Sequence, residues 1–155
     1  MMLERDLSPP VKKWLADQGY VVFVEQFDAD IVGKHDNELV AVDLKLGHLN
    51  GLLWQAVHRA QWADFVYVAT PIKPKSCKRY AEHGIGVLLV TGDKVRRLSK
   101  AKQQPYRREK SRAYRIKKLS HMDPAGPDEQ GGVATRHMRE FYGSPRSCWS
   151  RDNPA

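Results

Sequence analysis

The hydrophobic positions of this chain change period several times, and each change marks an element. Ser8 followed by Pro9 and Pro10 is a helix start with proline in its first turn, and Val11, Trp14 and Leu15 recur at helical spacing until Gly19 ends the run. Tyr20 to Glu25, Ala29 to Gly33 and Glu38 to Leu46 carry the β-branched and aromatic character of three strands. Between the last two lies Lys34-His35-Asp36-Asn37, whose Asp-Asn pair tolerates the positive φ of a tight hairpin. From about 51 to 63, Leu52, Leu53, Ala56, Ala60 and Ala63 return to helical spacing. Phe65 to Ala69 predicts a buried strand closed by Pro71, Lys75 to His83 a short helix, and Gly86 to Val90 a second buried strand.

The order α-β-β-β-α-β-α-β predicts an α/β (mixed α+β) fold, with a meander followed by strand–helix–strand crossovers in one mixed sheet flanked by helices. Beyond residue 100 the periodicity decays. Pro105 and the Pro/Gly-rich stretch from Asp123 to Gly132 resist a long regular element, one short helix is expected over 133–142, and the last ten residues read as irregular. The expected organisation is a core over 1–95 and a basic, partly irregular extension over 96–155.

Composition narrows the class. With 41% hydrophobic residues in 155 the chain has enough apolar material for a core, so full disorder is excluded. Its longest apolar runs are far too short to span a bilayer, and the start Met-Met-Leu-Glu-Arg-Asp lacks the basic and apolar regions of a secretory signal. Cys77 and Cys148 show neither a CxxC nor a zinc spacing, so a reducing cytoplasm is the expected location. The formal net charge is +8, but residues 94–119 carry twelve Lys or Arg against one acid, Glu109. That stretch is +11 and the rest of the chain −3, the footprint of a polyanion binder or of a solvated linker. Tyr106 and Tyr114 lie within it as candidate stacking residues.

The candidate chemistry sits in the second and third strands. If Asp36-Asn37 is a two-residue turn, Asp30 faces Asp43; if 34–37 form a four-residue loop, Asp28 does. In either register Asp28, Asp30, Asp43 and Lys45 share one face, since side chains alternate. Acids placed together across strands repel unless a cation lies between them. Two carboxylates with a backbone carbonyl and waters make a hard oxygen site suited to Mg²⁺ or Mn²⁺, and Lys45 adds a positive charge beside it. Val40, Val42, Leu44 and Leu46 give the third strand a wholly apolar second face, so Asp43 and Lys45 are expected on the polar side. On the next helix Gln55, Arg59 and Trp62 fall at i, i+4 and i+7, a face suited to positioning a phosphate or water. Glu4, ahead of the first helix, is a candidate third carboxylate. Glu25 ends a strand and reads as structural, and the six histidines show no metal spacing.

The ordered set resembles the PD-(D/E)XK nuclease superfamily, and within it small bacterial proteins described as PD-(D/E)XK-type phosphodiesterases of unknown function. The residues that carry it are Glu4 before the first helix, Gln18-Gly-Tyr20, Asp30-Ile-Val32, Asp43-Leu-Lys45 within Val40 to Leu46, Gln55-Ala-Val-His-Arg59, and Ala63 to Pro71. The resemblance covers roughly residues 1–92 and implies a restriction-endonuclease-like αβββαβ core. It also implies metal-dependent hydrolysis of a phosphodiester in nucleic acid. By that analogy Asp30, Asp43 and Glu4 bind Mg²⁺ or Mn²⁺, Lys45 orients or activates the water, and Gln55 completes the catalytic set.

Three functions remain in competition. The first is a Mg²⁺-dependent endonuclease acting on nucleic acid, DNA before RNA, with Arg59, Arg96, Arg97, Lys100, Arg107 and Arg108 docking the substrate backbone. The second is a module that binds nucleic acid or a protein partner without turnover. The third is a hydrolase of a small phosphodiester. The Asp30, Asp43 and Lys45 set favours the first and third over the second, and the +11 segment favours the first over the third. A homodimer is a candidate assembly, since two related sites readily cut both strands of a duplex.

Overall fold

Pro9 and Pro10 sit in the first turn of α1 (Ser8–Asp17), which follows a 3-10 turn over Glu4–Leu7. In this computed structural model, which describes residues 2–47, 49–104 and 109–125, the remaining elements are β1 (Val21–Gln26), β2 (Ala29–His35), β3 (Glu38–Leu44), α2 (Leu53–Arg59), β4 (Phe65–Thr70), α3 (Lys78–Glu82), β5 (Gly86–Thr91), β6 (Lys94–Ser99) and α4 (Glu109–Ser120). The expected mixed α+β architecture with flanking helices is present. Six strands form one sheet in the order β1-β2-β3-β4-β5-β6. The β1–β2, β2–β3 and β5–β6 pairs are antiparallel, and β3–β4 and β4–β5 are parallel. No helix among the described residues is long and apolar enough to cross a membrane.

Helices cover both faces, so β3 and β4 are buried on both sides. Leu7, Val11 and Leu15 of the α1 layer pack on Val22, Ile31, Val40, Val42 and Leu88. Across the sheet, Leu53 and Ala56 of α2, Tyr80 of α3 and Leu119 of α4 pack on Phe23, Val32, Leu39, Ala41 and Val66. The parallel β4–β5 contact depends on Gly86, which is the register partner of Tyr67; a Cβ there would lie 2.3 Å from the Tyr67 ring and 2.7 Å from the Ala101 amide nitrogen.

Several expectations are corrected. The apolar face of β3 lies under α1, but its other face is also buried, because Leu39 and Ala41 sit beneath α2. The strand ends at Leu44 rather than Leu46, α2 is shorter than 51–63, and α3 is shorter than 75–83. The boundary expected at 95/96 falls inside β6, which closes the sheet through the turn at Gly92 (φ 62°) and Asp93. The region after residue 100 holds a regular element that the decayed periodicity did not predict, since α4 packs Leu119 and Ile116 into the core layer it shares with α2, with Met122 just beyond it. Beyond it the Ala125 amide donates to the Val22 carbonyl at 2.7 Å, along the free edge of β1. The expected helix over 133–142, Tyr106, Arg107, Arg108 and Cys148 lie outside the described residues.

Candidate active site

The β2–β3 hairpin turns on Asp36-Asn37, with Asp36 in the left-handed region at φ 52°. Its register runs from His35↔Glu38 to Ile31↔Val42, and one step further places Asp30 opposite Asp43. Asp28 instead occupies the tight β1–β2 turn beside Phe27, both at positive φ, so the register that would oppose Asp28 to Asp43 is ruled out. At the end of the hairpin the Asp30 side chain takes over from the backbone ladder, because the Leu44 amide donates to Asp30 Oδ2 at 2.8 Å. The Lys45 amide donates to the Ala69 carbonyl at 2.9 Å, on the β4 side. An extended residue sends its N–H and C=O the same way, so the Leu44 carbonyl faces the Asp30 side as its amide does.

Asp43 is 3% exposed, and its Oδ2 accepts no hydrogen bond. Arg59, at the end of α2, brings Nε to 3.4 Å from that oxygen, and its Nη2 donates to the Asp28 carbonyl at 2.6 Å. Burial is the largest influence on the Asp43 carboxyl and pushes its pKa up; the Arg59 charge opposes this, and the Asp30 charge adds to it. The Asp30 carboxyl is also raised, first by burial and then by the charges of Glu4 and Glu25, against the Leu44 amide and Arg59. Glu25, at φ 53°, interrupts the β1 ladder at the position facing Asp30. Nothing in the local sequence distinguishes it from a strand-ending acid, and its effect on Asp30 emerges only from the register.

Glu4 is exposed on the 3-10 turn, near enough for its charge to act on Asp30. Among the described residues no three His, Cys, Asp or Glu side chains gather as a metal-binding group, so Glu4 is not drawn in as a third carboxylate ligand. The donor set that remains is Asp30, the orphaned Asp43 Oδ2 and the Leu44 carbonyl. These are all hard oxygens, a chemistry that fits Mg²⁺ or Mn²⁺ completed by water. Lys45 is half-buried just past β3, on the face of Asp43 by alternation. Gln55 is exposed one helical turn before Arg59.

The expected polar face of α2 splits. Arg59 is buried against Asp43 and the Asp28 carbonyl rather than free to meet a phosphate, and Trp62 is a core residue packed edge-on to Phe27. The i, i+4, i+7 spacing defines a face but says nothing of its depth.

The basic segment is also divided. In β6, Arg97 pairs in register with Leu88 and Arg96 with Leu89, so the two side chains leave opposite faces of an edge strand, where charge discourages strand addition. Arg97 and Lys100 line a cavity of about 540 Å³ with Trp14, Tyr20 and Glu38, on the α1 face and away from Asp43. In α4, Arg112 ion-pairs with the buried Asp64 at 3.1 Å. The Arg115 guanidinium carbon lies 5.0 Å from the ring centroids of both Phe27 and Trp62. Both arginines are part of the fold, and sequence reasoning assigned neither.

No protein-family model and no curated protein matches the chain. A solved structure of a protein of unknown function from Silicibacter pomeroyi is similar, with a TM-score of 0.59 and 18% identity, covering 77% of this chain and 85% of that one. That likeness concerns the fold.

Proposed function

We propose that this chain is a metal-dependent phosphodiesterase of the PD-(D/E)XK type, which hydrolyses phosphodiester bonds in nucleic acid with Mg²⁺ or Mn²⁺. The observation that carries the reading is the cross-strand pair of Asp30 and Asp43, both with carboxyl pKa values pushed up by burial, at the end of the strand that leads into Lys45. Two acids that resist ionising beside each other are arranged for a cation rather than for stability.

Asp43 and Asp30 would hold the ion with the Leu44 carbonyl. When bound, such an ion acidifies a coordinated water and offsets charge on the phosphate. Asp30 is fixed by the Leu44 amide, and Lys45 by its own backbone bond to Ala69, so the ammonium leaves from a rigid strand end to meet a phosphate oxygen or the attacking water. Gln55, exposed on the next helix, is placed to hydrogen-bond substrate or water, and Glu4 adds negative charge at the rim.

One observation favours a second reading, a binding module without turnover: Arg59 already supplies a positive charge to Asp43. Cleavage of labelled single-stranded, duplex and branched DNA and of RNA, with Mg²⁺, Mn²⁺ or EDTA, separates the two. Metal-dependent cutting lost in Asp43→Asn and Lys45→Ala is the expected result. Salt-sensitive binding with no cutting of any substrate would replace it with the binding module.

A further inference from the structure

A cavity of about 630 Å³ opens between the chain that leaves β3, the start of α2, the loop after β4, and α3. It lies on the sheet face of Asp43, since Leu49, Leu53 and Tyr80 belong to the core layer under α2. It also lies at the same sheet end, because Gly47 in its wall is two residues from Lys45, a reach of at most about 7 Å.

The lining is chemically one-sided. Ile72 and Pro74 give it an apolar surface over the nearly buried Leu49 and Leu53, and Lys73, Lys75 and Arg79 are its charged side chains, with no acid among the described lining residues. The Tyr80 hydroxyl is committed to the Leu49 carbonyl and its side chain is only 6% exposed, so it closes the cavity wall rather than offering a free group to a ligand. Ile72 is 51% exposed, although it belongs to this apolar surface. Beside the cavity, on the same two helical segments, Trp54 is 62% exposed with its ring edge-to-face with His83. A flat apolar group carrying negative charge matches this lining, and a nucleotide is such a group. A base stacked in a continuous duplex has no free faces to offer, whereas an unpaired one does.

We infer that this cavity receives an unpaired nucleotide of the substrate strand next to the phosphate held at Asp30 and Asp43, so that single-stranded nucleic acid, rather than continuous duplex, is the substrate class. The inference rests on the phosphodiesterase reading above and deepens it. Lys73, Lys75 and Arg79 hold the flanking phosphates, while Ile72 and Pro74 receive the base.

The test is binding of the full chain to a fluorescent single-stranded DNA oligonucleotide, the matching RNA, and a duplex closed at both ends by non-nucleotide linkers. Anisotropy is read in EDTA at two salt concentrations. Single strands, of DNA or RNA, are expected to bind about tenfold or more tighter than the duplex. Ile72→Glu and, separately, the Lys73→Gln/Lys75→Gln double variant each weaken single-strand binding about tenfold and leave duplex binding little changed. Both variants alter exposed side chains, and thermal unfolding checks that each remains folded. Duplex bound as tightly as single strand, or variants that leave the ratio unchanged, would overturn the inference. Failure of the parent reading has a different signature: no cutting with Mg²⁺ or Mn²⁺, while the single-strand preference and its loss in both variants persist. In that outcome the cavity stands as a nucleotide-binding site and the phosphodiesterase reading falls.

Discussion

Arg59 Nε lies 3.4 Å from Asp43 Oδ2, and neither atom makes a hydrogen bond although both are buried. A buried ion pair whose facing atoms make no hydrogen bond gains Coulomb energy but leaves part of its desolvation cost uncompensated. Arg59 therefore acts as a positioned counter-charge for Asp43 and ties α2 to the β1–β2 turn through the Asp28 carbonyl.

Replacing Arg59 with Met leaves the Asp43 charge buried and alone. The expected loss is about 3 kcal/mol of stability in EDTA. If a divalent ion binds at Asp30 and Asp43, Mg²⁺ or Mn²⁺ raises the unfolding temperature of Arg59→Met by more than that of the wild type, because the ion then takes over the missing positive charge. Thermal unfolding with and without metal measures both effects. An equal response of the two proteins to metal would place any bound ion elsewhere.

The same geometry sets the expected loss of activity. Lys45→Ala and Asp43→Asn should each lower metal-dependent cleavage at least about a hundredfold. Lys45 is half-buried, with no role in the two core layers, so its variant should unfold at nearly the wild-type temperature. A Lys45→Ala protein that remains folded and cuts at the wild-type rate would remove Lys45 from the site.

Asp30 predicts a pH dependence with a definite sign. Its folded carboxyl pKa lies above the ordinary value, so the folded state holds the proton more tightly than the unfolded chain does. That contribution to stability is complete below the unfolded pKa and is lost as pH rises through the folded one. In Asp30→Asn the amide oxygen still accepts the Leu44 amide, but the repulsive charge is gone. The variant should therefore melt slightly higher than wild type at neutral pH in EDTA, by about 1–2 °C given the solvent screening around this exposed residue. The gain should vanish in acid below the ordinary carboxylate range. A lower melting temperature at neutral pH would show that the charge itself, and not just its hydrogen bond, stabilises the fold.

Much of the sheet was legible because its causes are local. Alternation and the Asp36-Asn37 turn narrowed the pairing to two registers, both of which put Asp30 and Asp43 on one face, and the structure retains the one that opposes them. The β5–β6 hairpin turns locally at Gly92-Asp93, but its second strand was missed. Lys94, Arg96 and Arg97 dominate it, and its two apolar residues, Val95 and Leu98, lie three apart and pack on opposite faces of the sheet, so no alternation shows. Other features depend on partners distant in sequence. Arg59 reads as a surface residue until Asp43 and Asp28 are seen around it, and Arg115 as a solvated cation until Phe27 and Trp62 enclose it. The cavity beside Lys45 is assembled from four separate segments, and no single stretch announces it.

The docking of α4 gives the last prediction. Asp64 is 1% exposed; it accepts the Leu39 amide at 2.7 Å and pairs with Arg112, which also donates to the Asn37 carbonyl. One carboxylate thus joins the start of β3, the start of β4 and α4. Arg112→Ala removes the cation and leaves that carboxylate buried, at a cost of about 3 kcal/mol. Truncation after residue 104 removes the same pair and also strips Leu119 from the core, so its loss should be larger. If α4 were an independent basic arm, both proteins would unfold at the wild-type temperature and lose only nucleic-acid affinity. Urea unfolding of the two variants beside a Lys117→Gln/Lys118→Gln control, which removes exposed charge from the same helix, separates these outcomes: the first two should unfold at lower urea, and the control should keep the wild-type midpoint.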